Sequence, residues 1–447
     1  MERDLTSGSV FNKIIYFSLP YFLSYFLQNL YGMADLFIIG QFDGVDAITS
    51  VSIGSQIMHL VTVMIVGLAM GSTILIGRHI GENQKDKVSK SIGNTVALFV
   101  IMGIALMFIL LMFINPIVSV MSTPEEAVSG TTTYLTICFI GIPFITAYNI
   151  ISSIFRGLGD SKSPMYFIAV ACVINIALDY LFIGIFDFGA AGAALGTVLA
   201  QSASVLFALF VILKKKIGIS LKKLDFKIDK NVMKQILKIG VPISFQDGFI
   251  QISFVIITII VNLRGINDAA AVGIVEKIMT LIFLVPSSMM SAVSVLSAQN
   301  IGANKHDRAS LTLKYATIIC IVYGIIISIL VDFIAETVVG TFSSEQYVIV
   351  LGSQYIRSYV WDCMFAGVHF CFSGYFCAYG MSEVSFIHNL ISIILVRIPG
   401  TYLTSILFTD NLFPMGFAST TGSILSVIIC VGVYVWLMKK RKREQFS

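Results

Sequence analysis

The chain has 447 residues, is 57% hydrophobic and only 12% charged, and has a mean hydropathy of +0.90, which excludes an ordinary soluble globular protein and puts the chain in a bilayer. Its net charge of +4 reflects basic residues gathered in a few loops, so it gives no argument for a nucleic-acid partner. The seven cysteines and five histidines are scattered, with no CxxC or HExxH spacing, and no GxxxxGK[ST] loop is present, so neither a metal centre, a cofactor nor nucleotide hydrolysis is expected.

Twelve apolar runs of spanning length follow one another, at 14–40, 48–76, 91–120, 132–155, 164–186, 189–213, 235–262, 269–298, 311–337, 350–379, 385–408 and 412–438. Each is near or above the roughly 20 residues that a helix needs to cross a membrane, and none shows the short alternating pattern of a barrel strand. Span 1 carries Pro20 in SLPYF, then Tyr31 and Asp35 in NLYGMADLFIIG. Asp35 lies roughly 8 Å from the outer end of that span at 1.5 Å per residue. Span 2 contains GLAMG at 67–71, the spacing of a close helix contact. In span 5, NIALD sets Asn175 and Asp179 four residues apart on one helical face, with Asp179 roughly 10 Å from the outer end. Span 6 descends from outside and reaches Thr197 after roughly 12 Å.

Four polar groups on three helices therefore share one layer of the outer leaflet. Two carboxylates with an amide and a hydroxyl suit Na⁺, which takes several oxygens, and equally suit a proton, which a carboxylate pair shares readily. Plainer roles stay open at this stage. Asp35 can snorkel to the outer interface, Asn175 and Thr197 can join helices by hydrogen bonds, Pro20 can simply shape its helix, and Tyr31 can pack or line a cavity.

The second half is different at these positions. It carries Asp247 and Gln251 in span 7, Glu276 beside Lys277 in span 8, Asp362 in span 10 and Arg397 near Pro399 in span 11. Asp247, Gln251, Glu276 and Asp362, with Tyr31, are candidates for a cavity that takes cationic substrates. For Glu276 an ion pair with Lys277 or Arg397 is the simpler reading.

Orientation follows from the basic residues. With the amino terminus inside, the inner segments hold 25 of the 29, among them nine lysines from 214 to 238 and KKRKR at 439–443, while the outer loops hold only Arg264. Both termini are expected in the cytoplasm. The first apolar run is too long for a signal-peptide core.

The chain also repeats itself about the basic linker at 214–234. IGENQKDK at 80–87 answers IGANKHDR at 301–308, and FRGLGDSK at 155–162 answers FCAYGMSE at 376–383, both at an offset of 221. Pro20 and Pro242 are 222 apart. Because six spans is an even number, the halves run the same way through the bilayer. The expected fold is an all-α integral membrane protein with twelve transmembrane helices in two six-helix bundles, related by a pseudo-two-fold axis along the membrane normal. The lobes are residues 1–213 and 235–447, joined by the cytoplasmic linker. At the same offset Asn175 maps onto Val396 and Asp179 onto Gly400, so the polar layer is not duplicated.

RGLGDSKSPM at 156–165 and IGENQKDKVSKSI at 80–92 resemble the cytoplasmic signatures of multidrug and toxic compound extrusion (MATE) transporters. The resemblance implies a V-shaped pair of bundles in the cell membrane that exports amphipathic, often cationic small molecules against entry of Na⁺ or H⁺. Asp35, Asn175, Asp179 and Thr197, with Pro20 as a gating kink, match the amino-terminal-lobe cation site of the archaeal and DinF-like branch. Other branches use a span 7 Glu and a span 10 Asp in the second lobe; here Gln251 and an offset Asp362 depart from that pattern, which puts a second cation site in doubt.

The expected function is thus a secondary active antiporter, working as a monomer and not as an enzyme. A flippase for a lipid-linked precursor is the alternative, but pyrophosphate cargo calls for clustered Arg or Lys, and Lys277 and Arg397 are isolated. No nucleophile constellation or channel filter is present.

Overall fold

A computed structural model of the chain describes residues 4–214 and 221–446. The part of the linker at 215–220 lies outside the described residues. Those described are helical nearly throughout and contain no strand. In chain order the helices are α1 (Val10–Phe42), α2 (Val45–Gly81), α3 (Lys85–Met112), α4 (Ile114–Val120), α5 (Glu125–Ile140), α6 (Ile142–Gly157), α7 (Lys162–Asp179), α8 (Gly189–Lys214), α9 (Lys230–Asn262), α10 (Ile266–Ile282), α11 (Leu284–Gly302), α12 (His306–Gly340), α13 (Gln346–Tyr359), α14 (Asp362–Ala378), α15 (Ser382–Ser392), α16 (Ile398–Leu407) and α17 (Phe413–Phe446). Wide π-helical turns at Tyr180–Ile185 and Ile393–Arg397 continue α7 and join α15 to α16.

Ten helical runs are long and apolar enough to cross a membrane, and α5 with α6, bent by 49° at the break between them, makes an eleventh. The twelfth expected span, 350–379, is occupied by α13 and α14, which break at Val360 and Trp361. Ser353, Gln354, Arg357 and Ser358 make α13 more polar than the other spans. Large apolar side chains stand outward, such as Leu206 at 68% and Phe333 at 83% exposure, as a surface facing lipid requires.

The repeat extends to the backbone. Asn83 and Asn304 both take a left-handed conformation at φ 57°, and Gly159 and Gly380 do so at 87° and 75°. In each pair the residue after it donates back across the helix end: Gln84 N to His79 O at 3.1 Å and Lys305 N to Asn300 O at 2.7 Å, then Asp160 N to Phe155 O and Met381 N to Phe376 O, both at 2.9 Å. These are the six-to-one bonds that close a helix on a left-handed residue. The matching loops therefore end matching helices the same way.

By contacts the chain forms two compact units. The first is Leu19–Ser244 with Met1–Ser7 and Gly302–Asn304; the second is Gly8–Ser18, Phe245–Ile301 and Lys305–Ser447. In the first, Ile39, Val51, Leu135, Phe139, Ala193 and Ala194 belong to one buried cluster drawn from α1, α2, α5 and α8. The opening stretch of α9 also belongs here, because Gly71 of the GLAMG run and Gly240 let the two backbones meet. A Cβ at either position would overlap the other helix's main chain.

The linker is strapped to α3 just before α9. Asn94 is fully buried; its amide nitrogen reaches Asp225 O at 3.4 Å and Lys227 O at 3.3 Å, and its oxygen accepts from Asp229 N at 2.7 Å. Lys90 pairs with Asp229 at 2.5 Å and holds its carboxyl below the usual range.

In the second unit, Arg264 turns inward between α9 and α10. It meets Asp268 at 2.5 Å and donates to the carbonyls of Ser405, Phe408 and Thr409 at 2.6, 3.1 and 2.6 Å. It thereby satisfies the carbonyls at the end of α16, which helix geometry leaves without partners. Arg264→Ala should cost about 2–3 kcal/mol, the scale for charged hydrogen bonds. The check is a lower unfolding midpoint with faster amide exchange at 405–409.

Candidate functional site

The first unit brings together the four residues expected from the sequence. Asp35 on α1 is 3% exposed, Asn175 and Asp179 on α7 are 1% and 0%, and Thr197 on α8 donates to Asp35 Oδ2 at 3.3 Å. Asn175 and Asp179 are neighbours of Asp35. As ionised groups the two carboxylates can only accept, so Asp35 Oδ1 and both Asp179 oxygens find no donor, and the Asn175 amide has no partner either. Buried carboxylate oxygens without donors are strongly unfavourable. A bound cation, or a proton between the carboxylates, removes that cost. The donor set of carboxylate, amide and hydroxyl oxygens fits either.

Local structure explains the aim of these groups. α7 ends at Asp179 and the chain passes straight into the wide turn Tyr180–Ile185, a local unwinding that is common at functional sites. Gly196, one residue before Thr197, provides the space: a Cβ there would overlap Asp179 Oδ1. Tyr31, one turn before Asp35, neighbours Gln201, one turn after Thr197 on α8. Gly196 and Gln201 were not singled out from the sequence. Only the G-x-x-x-G spacing of Gly192 and Gly196 pointed that way. Gly196→Ala should displace the Asp179 carboxylate and weaken cation or proton binding by at least about tenfold, or 1.4 kcal/mol. Cation-dependent thermal stabilisation of the purified protein measures this.

Pro20 lies within α1, which continues unbroken through it, and its carbonyl accepts from Ser24 Oγ at 2.7 Å. Asp247 and Gln251 are half-buried, one turn apart on α9. Tyr355 donates to Glu276 at 3.5 Å, and Arg397 Nη2 donates to Tyr359 Oη at 3.1 Å. The Tyr355 and Tyr359 rings are 5.4 Å apart, and the Arg397 guanidinium lies 4.5 Å over Phe254. Arg397 acts electrostatically on both Glu276 and Asp362, but Glu276 forms an ion pair with neither Lys277 nor Arg397 among the described residues. Asp362 is 2% exposed. Arg397 closes the second π-helical turn, just as Asp179 precedes the first.

The two units thus present an acidic group without a cation and an acidic group with one built in. The MatE family model matches residues 20–181 and again residues 242–403. The chain belongs to the MatE family. Both matches begin at the paired prolines, so the family unit is the repeat read from the loops. Similar proteins include "Probable multidrug resistance protein YpnP" of Bacillus subtilis (strain 168), 30% identical with 90% of each chain covered. "Probable multidrug resistance protein YoeA" of the same strain is 27% identical over 99% of this chain and 97% of its own. A MATE crystal structure in the bent conformation aligns with a TM-score of 0.92 at 21% identity, covering 99% of this chain and 98% of that one. One in the straight conformation gives 0.90 at 20% identity, with the same coverage. These structures establish the MATE fold for this chain, twelve helices in two lobes, in a multi-pass membrane protein.

Proposed function

We propose that this MatE protein is a secondary active antiporter that exports amphipathic, cationic small molecules across the cell membrane in exchange for Na⁺ or H⁺. The observation that carries this reading is the buried Asp35, Asn175, Asp179 and Thr197 group, in which Asp35 Oδ1 and both Asp179 oxygens lack donors. The relatives named for multidrug resistance support the substrate class. Occupancy of the Asp35 and Asp179 layer by a cation or proton alters α1 near Pro20 and releases drug outward, with Tyr31 lining the path. The four-residue set is of the archaeal and DinF-like kind.

The exchangeable ion belongs to the amino-terminal lobe alone. In the carboxy-terminal lobe Arg397 already supplies positive charge to Glu276 and Asp362, which leaves Asp247 and Gln251 as the substrate-facing candidates there. The protein works as a monomer with both termini in the cytoplasm, and no cofactor takes part. Efflux of a cationic dye from vesicles under an imposed Na⁺ or pH gradient tests the proposal; no response to either gradient for any such dye would sink it. Uptake of a pyrophosphate-linked lipid would favour the flippase instead.

A further inference from the structure

The linker strapped to α3 has no part in the coupling site, yet its seat is built with care. Lys90 is the last charged residue before an apolar run that carries no Asp, Glu, Lys or Arg until Glu125. Gly93 and Asn94, at the start of that run, receive the linker. A Cβ on Gly93 would overlap the Asp225 carbonyl oxygen, and the Asn94 side chain holds the backbone of Asp225, Lys227 and Asp229. The strap is therefore fixed at the depth where α3 passes from water into hydrocarbon, the headgroup boundary.

At that depth its side chains are of two kinds. Leu221, Leu224, Phe226 and Ile228 are exposed, Leu224 at 76% and Ile228 at 55%. Interleaved with them and continuing into α9, Lys222, Lys223, Lys227, Lys230 and Lys234 are exposed as well. The two acids of the strap are engaged elsewhere. Asp225 accepts from Lys222 N at 2.7 Å, while Asp229 pairs with Lys90 and accepts from Asn231 N at 2.8 Å. Among the described residues none of those five lysines forms an ion pair. Water would leave the apolar side chains uncovered and hydrocarbon would strand the ammonium groups, whereas the surface of an anionic leaflet suits both.

We propose that residues 221–234 are an interfacial anchor for anionic phospholipid: the lysines meet the headgroup phosphates while Leu221, Leu224, Phe226 and Ile228 enter the acyl boundary. The anchor holds the joint between α3 and α9 against the bilayer surface. The inference requires only that the chain spans a membrane, and it stands whether or not the protein exports drugs.

The test uses the full wild-type chain in nanodiscs of phosphatidylcholine, with or without phosphatidylglycerol, read by amide exchange over 221–234. Phosphatidylglycerol should slow exchange there by at least about fivefold, the scale of a single lysine at an anionic surface. High salt should remove most of that slowing, and soluble glycerol phosphate should not reproduce it. Lys222→Gln, Lys223→Gln, Lys227→Gln and Lys230→Gln combined should lose the response, and the same four positions changed to Arg should keep it. Leu224→Trp, compared with wild type, should add emission that brominated acyl chains quench. Equal exchange in the two lipids, an equal slowing by glycerol phosphate, a full response in the four-Gln variant, or added emission quenched by aqueous iodide and not by brominated chains would each overturn the proposal.

Discussion

Asp35→Asn should lower ion-driven dye efflux by at least about tenfold in membranes containing equal amounts of protein, because 1.4 kcal/mol of lost cation affinity already amounts to that factor. The substitution keeps the side chain's size and its bond with Thr197 Oγ1, which lies 3.3 Å away. What it removes is the charge. Asp179 then faces an amide in place of a carboxylate, and a pair that held one exchangeable cation or proton is left with a single acid. Asp179→Asn should behave alike, since its oxygens are completely buried and have no donor of their own. Asn175→Ala and Thr197→Ala should have smaller effects, since each removes one neutral oxygen. An Asp35→Asn variant that exports like wild type would show that Asp35 is structural.

Arg397→Leu should cost about 3–5 kcal/mol of stability, the usual penalty for removing one partner from a buried charged group. Glu276 and Asp362 would lose the positive charge that acts on both, and Tyr359 would lose its donor at 3.1 Å. Adding Asp362→Asn to that variant should restore part of the loss, because fewer charges then remain uncompensated. Glu276→Gln with Asp362→Asn, leaving Arg397 intact, should preserve the ion dependence of export. Ion dependence that vanished in this double variant would move coupling into the carboxy-terminal lobe. Thermal unfolding of the purified variants and dye efflux distinguish the two roles.

Much of this was legible in the sequence because membrane helices obey few rules. The spans follow from hydropathy, and the depths of Asp35, Asp179 and Thr197 follow from a fixed rise per residue. The repeat could be read because polar loops between apolar helices end them with particular residues: Asn83 and Asn304, then Gly159 and Gly380, share one backbone conformation. What could not be read depends on neighbours in space. Gly196 matters only because Asp179 comes up against it from another helix. The break at Val360 and Trp361 lies inside what hydropathy shows as one run. Arg264 looked like a loop residue facing water, yet three carbonyls around residues 405–409 draw it inward. Arg397 read as an isolated cation until the fold set Tyr359 and Phe254 beside it.

The most direct test of coupling through the amino-terminal lobe is efflux of a fluorescent cationic dye from proteoliposomes, with a Na⁺ gradient and a pH gradient imposed separately on wild type and Asp35→Asn. At least one gradient should accelerate wild-type efflux, and neither should accelerate the variant. Gradient-driven efflux of equal rate in both proteins would contradict the account.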